Sequence, residues 1–387
     1  MVKKDSTSVA KNEEYDKNIL DKVRTSKAAV FEEVGKPLEI RDFDLPDSLE
    51  PGSALCRVLY GTICGSDLHT VYGRRKEPTP LVLGHEIVGE IVALGEGLEK
   101  DISGRNLEIG DRITWTIMAS CGKCYYCRNG LPQKCVSLKK YGHTSIDDEA
   151  INSPLVGGYG EYVYILPGTF VLKVPESLSD EIAAPANCAL STVVNAVDTI
   201  GIEKDDVVII QGCGLLGLNT IALAKEHGAK EIIATDIQKS RLEMAKRFGA
   251  TRIVDTSDAS DNALKEVALE VSEDRGADVI IEVSGAAEVV VQGVEALRIG
   301  GRYLIAGLTK PSPLGLDGNS ITRKYMTIKG IHNYGPEHLE KALRFLEENS
   351  AKYPFKDLVG AVFPLDKINE AIEAASSGHY IRVGVKP

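Results

Sequence analysis

The segment that most restricts the fold is Gly212-Cys213-Gly214-Leu215-Leu216-Gly217, which follows an apolar run, Val207 to Gln211, and opens a helical stretch, Leu215 to His227. Apolar strands and helical stretches alternate from there, through Glu231 to Thr235, Lys239 to Phe248 and Asp278 to Val283. That βαβ rhythm predicts a parallel sheet. Glycines in the turn let the backbone approach a ligand closely, so the amides opening the helix, at Leu215 and Leu216, can hold a pyrophosphate. Asp236 ends the next strand nineteen residues after Gly217. An acid at that distance accepts from a ribose 2′-hydroxyl and repels a 2′-phosphate, which favours NAD over NADP. Arg241 is close enough in sequence to soften the preference. A plain glycine turn and an ordinary strand-end Asp are the bland readings. The strand before, the helix after and the spaced acid together outweigh them.

Residues Lys27 to about Pro175 have a different texture: short β-rich runs (Lys27 to Phe31, Ser53 to Ile63, Ile87 to Leu94, Arg112 to Ile117, Tyr159 to Ile165) separated by Gly, Pro and Asp turns. They predict a β-rich, barrel-like domain. Within it lie four cysteines, Cys121, Cys124, Cys127 and Cys135, spaced C-x2-C-x2-C-x7-C. Thiolates so close can complete a tetrahedral zinc shell with no open position, a structural site. Two disulfides are the alternative, but no secretory leader is read at the N-terminus, and a reducing cytoplasm keeps thiols free.

Composition narrows the partners. The 387 residues suggest two domains, and 43% hydrophobic with 26% charged residues is that of a globular protein. A net charge of -11 argues against a nucleic-acid face, and the apolar runs are too short for a membrane span. Residues 1–26 are polar and read as a solvated extension; the alternative is a docking amphipathic helix through Tyr15, Ile19, Leu20 and Val23.

Cys64 and His85 lie about twenty residues apart, and Cys188 far beyond. Two thiolates and an imidazole would leave a fourth zinc position open for substrate, but by spacing alone Cys188 reads more readily as a packed core cysteine than as a ligand. Cys56 and Cys213 read as core fillers.

Taken in order, the Gly84-His85-Glu86 segment, the four-cysteine lobe, Cys188 and the glycine fingerprint make the chain from Lys27 to Pro387 similar to the zinc-dependent medium-chain alcohol dehydrogenases. The resemblance implies an α/β fold: a GroES-like β-rich catalytic domain, residues 27–188 completed by 330–387, and a Rossmann doubly wound parallel-sheet coenzyme domain, residues 189–329. It implies two Zn2+ per chain and NAD. Cys64, His85 and Cys188 would hold the catalytic zinc, the Cys2His set known for alcohol dehydrogenases, with Glu86 beside it, either supporting the ligands or exchanging with them. Ser66 and His69 would form a proton relay, and Asp67 would orient His85. Thr192 would line the nicotinamide, Val283 and Ser284 the adenosine ribose, with Gly212, Gly214 and Gly217 in the turn; Arg382 would touch pyrophosphate. The substrate would be a small alcohol, in a homodimer or homotetramer. Gly130 to Cys135 and Lys140-Tyr141-Gly142-His143 further resemble a branch associated with phosphonate catabolism, and Arg74, Arg75 and Lys76 could meet an anionic substrate tail. A bland solvated turn is the other reading of those three. A zinc-free quinone or enoyl reductase would lack Cys64, His85 and the lobe. A zinc-ordered NAD-binding sensor without turnover is the remaining alternative.

Overall fold

The computed structural model describes residues 23–257, 262–308 and 310–387. By internal contact the chain forms two compact units: residues up to Cys188 with 335–348 and 355–387, and residues 189–334 with 349–354.

The first unit is built on an eight-stranded, mostly antiparallel sheet. Ala54–Thr62, Glu86–Leu94 and Arg112–Ala119 run side by side at its centre. These strands are nearly continuous apolar runs because both faces are covered, and Trp115, Tyr141, Val163 and Ile91 fill the interior. Tyr162–Ile165 pairs with the first of these strands and Thr169–Lys173 with the third. The C-terminal strand Arg382–Lys386 joins the other edge, pairing Gly384 with Thr62. A smaller sheet orders Glu39–Asp44, Thr25–Phe31 and Leu81–Val82.

Some expectations need correction. Thr25 and Ser26, assigned to the polar extension, begin the first strand, and Ser26 is fully buried because its neighbours pair with 42–44. Val23 packs on the barrel core; Tyr15, Ile19 and Leu20 lie outside the described residues. The strand expected from Tyr159 begins at Tyr162; ahead of it Gly160 makes only an isolated bridge to Ala28. Glu39–Asp44 was missed: its sequence, EIRDFD, alternates only weakly and the strand lies on a sheet edge.

The second unit holds a six-stranded parallel sheet ordered Arg252–Asp255, Glu231–Asp236, Val207–Gln211, Ala277–Glu282, Leu297–Ile305, Thr327–Gly330. This is the doubly wound order, with Val207–Gln211 between the strands that precede and follow the reversal. Its residues, like those of Ala277–Glu282, are buried throughout. Thr327–Gly330 completes the sheet, so the chain returns to the first unit at Gly335 rather than at 330. Pro336–Asn349 forms a helix. Among the described residues no helix is long and apolar enough to cross a membrane.

Candidate functional site

Strand register brings the first cluster together. Thr62 pairs with Glu86 across the central sheet, so Cys64, two residues after one strand, meets His85, at the start of the next. Cys64 precedes the helix Gly65–Val71, and its amide donates to Asp67 Oδ2 at 2.9 Å. The same buried carboxylate accepts from Tyr159 Oη at 3.0 Å, and its Oδ1 lies 3.3 Å from His85 Nδ1. Asp67 therefore turns Nε2 of His85 toward the thiols, as expected of a residue that seats a ligand histidine. Gly84 has φ +88°, and a Cβ there would meet the Tyr159 ring at 2.6 Å, so only glycine lets the chain turn here into His85.

Cys188 arrives by another route. Asn187, fully buried, donates from Nδ2 to the carbonyls of His85 and Trp115, both at 3.0 Å. Its neighbour's sulfur lies 4.0 Å from Cys64 Sγ. Ligand atoms of Cys64, His85, Glu86 and Cys188 all fall within 4.8 Å of one another. Tetrahedral zinc with Zn–S bonds of ~2.3 Å places its sulfurs about 3.8 Å apart. The donor set and its spacing fit that ion. The hydrogen bond from Cys188, with Arg382 nearby, holds the Cys64 thiol well below its usual range, the state a metal ligand needs.

Glu86 is buried beside them. It accepts from Thr62 Oγ1 at 2.5 Å and ion-pairs Arg382 at 3.1 and 3.2 Å. Burial pushes its carboxyl up to about 7 against the pull of Arg382. Arg382, expected at pyrophosphate, is thus engaged by Glu86 and sits 3.7 Å from Cys64 Sγ. Ser66 Oγ lies 3.3 Å from His85 Nε2. His69 is one turn further along the same helix, half-buried, and its carbonyl receives the amides of Arg74 and Arg75.

The second cluster is the cysteine lobe. Cys124 caps the short helix Tyr125–Arg128, and Cys127 N–H donates to Cys124 Sγ at 3.5 Å. Cys135 Sγ accepts from the amides of Cys121 and Ser137 at 3.3 and 3.4 Å. Amides aimed at sulfur stabilise thiolate, and the Cys127 amide above all draws Cys124 down to about 6. The four sulfurs converge within 4.8 Å and none is in a disulfide. This set too fits zinc, with no position left open.

In the second unit, Gly217 abuts the start of the turn: a Cβ there would lie 1.8 Å from Gly212 O. Gly212, at φ +100°, packs 2.8 Å from Ser284 Cα by the same construction, and Val283 N–H donates to Gln211 O. Gly214 caps the helix Leu215–Glu226 with no side-chain hydrogen bond, so no side chain competes for the amides that follow. Asp236 is buried. Its Oδ2 accepts from Cys213 N at 2.8 Å and Oδ1 from Gln238 N at 2.9 Å, so besides any ribose it shapes the turn itself. Cys213 is fully buried, as a filler should be. Arg241 is half-buried and close enough to Cys213 for its charge to act there. Thr192 lies half-buried in the helix Ala189–Ile200 that follows Cys188.

Sequence reasoning missed Asn187, Tyr159 and Thr62, which position ligands but carry no ligand chemistry. His143, read there only as part of a resembling segment, has its ring centroid 5.1 Å from that of His85.

Two protein-family descriptions match: "Alcohol dehydrogenase GroES-like domain" over residues 50–176 and "Zinc-binding dehydrogenase" over 216–348. The 5-exo-hydroxycamphor dehydrogenase of Pseudomonas putida is 32% identical, over 86% of this chain and 91% of its own. The L-threonine 3-dehydrogenase of Yersinia pseudotuberculosis is 30% identical over 87% and 92%. The crystal structure of an alcohol dehydrogenase from Thermotoga maritima superposes with a TM-score of 0.88, at 30% identity, covering 94% of this chain and 99% of that one. The alternative of a sensor without turnover finds no support among these relatives.

Proposed function

Because the chain belongs to the zinc-dependent medium-chain alcohol dehydrogenases, an oxidoreductase family acting on CH–OH groups, we propose that it oxidises a small polar alcohol to the aldehyde or ketone with NAD as hydride acceptor. The observation that carries this reading is the buried convergence of Cys64, His85, Glu86 and Cys188. Cys64, His85 and Cys188 would hold catalytic zinc, Glu86 would exchange with them, and Cys121, Cys124, Cys127 and Cys135 would hold a second ion. Bound there, zinc supplies Lewis acidity at the alcohol oxygen, and the nicotinamide supplies the hydride acceptor.

The chain's own residues do the rest. Asp67 fixes the ring of His85, and Arg382 balances the charge of Glu86. Ser66 Oγ, beside His85 Nε2, would accept the hydroxyl proton, and His69 on the same helix would release it toward solvent; an imidazole titrates in the range such a relay needs. Gly212, Gly214 and Gly217 would admit the pyrophosphate to the amides of Leu215 and Leu216, with Val283, Ser284 and Thr192 along the cofactor. Asp236 would take the ribose hydroxyls, which supports NAD over NADP, with Arg241 moderating the preference. A hydroxyalkylphosphonate is the narrower substrate reading. A cytoplasmic homodimer or homotetramer is the expected setting, from family likeness alone, and light scattering measures it.

The test is reduction of NAD and of NADP by zinc-replete protein over a panel of neutral and anionic alcohols, with metal content measured on the same sample. Hydride transfer to NAD with two zinc ions per chain is the expected result. Two bound ions and no transfer to either cofactor from any alcohol would contradict the reading.

A further inference from the structure

Adjacent lysines on the strand Lys139–Lys140 have opposite fates. Successive side chains of a strand point to opposite faces. Lys139 ion-pairs Asp148. Lys140, half-buried, makes no ion pair and no side-chain hydrogen bond among the described residues. Its backbone is rigidly set: Thr144 Oγ1 accepts from Lys140 N at 3.1 Å and donates to Lys140 O at 2.8 Å. The next residue, Tyr141, is buried and bonded to Thr169 and Leu166.

The loop that follows touches the catalytic cluster. Gly142 packs on Gly84, where a Cβ would meet the carbonyl oxygen at 2.8 Å, and the next residues on each side are His143 and His85. Their rings are 5.1 Å apart. His143 Nδ1 lies 3.2 Å from Glu77 Oε1, and Glu77 also ion-pairs Arg75. Arg75 and Lys134 face Lys140 as like charges, with Glu77 and Cys188 acting in the opposite sense. Burial, with Arg75 next, pushes the Lys140 ammonium down to about 8. Lys140 and Arg75 therefore face each other beside one carboxylate, Glu77, itself divided between Arg75 and His143. Arg74 and Lys76 are exposed and make no such contact.

A half-buried ammonium without an acceptor costs stability, and a cluster of cations facing one another costs more. A small oxyanion would relieve both, since Lys and Arg bind carboxylate and phosphonate oxygens by charge-assisted hydrogen bonds. We propose that Lys140, together with Arg75, receives a carboxylate or phosphonate group carried by the alcohol substrate, an inference that rests on the dehydrogenase reading above. Specificity for that group would lie in the Lys140 to His143 loop rather than in the exposed Arg74 and Lys76.

The experiment compares wild type, Lys140→Met and Lys140→Arg, each checked for zinc content and circular dichroism. Turnover is measured on 3-hydroxybutyrate and 2-hydroxyethylphosphonate, as the carboxylate and phosphonate arms, against 2-butanol and ethanol. Binding of methylphosphonate and of acetate by calorimetry provides a readout independent of turnover. Loss of one charged hydrogen bond predicts that Lys140→Met lowers the ratio of kcat/KM, anionic over neutral, by about tenfold or more, with Lys140→Arg recovering most of it. Whichever arm falls further identifies the anion. A ratio within threefold of wild type in Lys140→Met, or wild type that oxidises only neutral alcohols, would overturn the inference and leave the dehydrogenase reading standing. If no alcohol is oxidised, methylphosphonate or acetate binding that Lys140→Met abolishes still supports the subsite, and its absence in wild type overturns it.

Discussion

Asp67 is the residue on which the buried cluster of Cys64, His85, Glu86 and Cys188 turns. One buried carboxylate receives the Cys64 amide, the Tyr159 hydroxyl and the Gly84 amide, and lies against His85. Removing its charge leaves the imidazole without the partner that fixes its ring. Asp67→Asn should weaken metal binding at this site by about 10–100-fold while the cysteine lobe keeps its ion, a split that chelator competition with metal analysis would show. His69→Gln should lower kcat without loss of zinc, and the pH profile of kcat should change in shape; an unchanged profile would remove His69 from the relay. Part of this cluster is legible in the sequence itself. A cysteine and a Gly-His-Glu segment are visible as residue types, and family likeness adds Cys188. Spacing cannot, because Cys188 reaches the cluster only through Asn187, whose amide bridges two strands distant in sequence. Lys140 shows in the sequence only as the first residue of the segment ending at His143; the strand's alternation is what separates it from Lys139, which pairs with Asp148.

At the scale of elements, local chemistry and local pattern coincide in the strand Val207–Gln211, the glycine turn and the helix Leu215–Glu226, so this unit is readable in sequence almost to the residue. Gly217→Ala tests the turn. Its Cβ would lie 1.8 Å from Gly212 O, so the turn must open, and the dinucleotide Kd should rise by about tenfold or more with zinc content unchanged. Gly84→Ala tests the other unit. Positive φ and the Tyr159 ring both oppose a side chain, so the variant should lose about 2 kcal/mol or more of stability, read by thermal or denaturant unfolding. The edge strand Glu39–Asp44 is not legible because four of its six residues are exposed and its partner, Thr25–Phe31, lies across a turn-rich segment. What sequence conveys poorly is pairing between distant segments, as in Arg382–Lys386 closing on Ala54–Thr62.

For the whole molecule, two donor sets of different character fall in one unit. The cysteine lobe gathers four thiols on a surface loop, whereas the buried cluster mixes thiol, imidazole and carboxylate. Thiolates must be unprotonated to hold metal, so both ions should be lost as pH falls, and metal analysis after dialysis across a pH series would follow this. The buried cluster, as proposed, is a metal centre for alcohol oxidation. Its most direct test is alcohol-dependent reduction of NAD by Cys188→Ser beside wild type, with zinc counted in both. Two ions and turnover in wild type, against one ion and no turnover in the variant, is the predicted result. Turnover undiminished in a variant that has lost the ion from this cluster would contradict it.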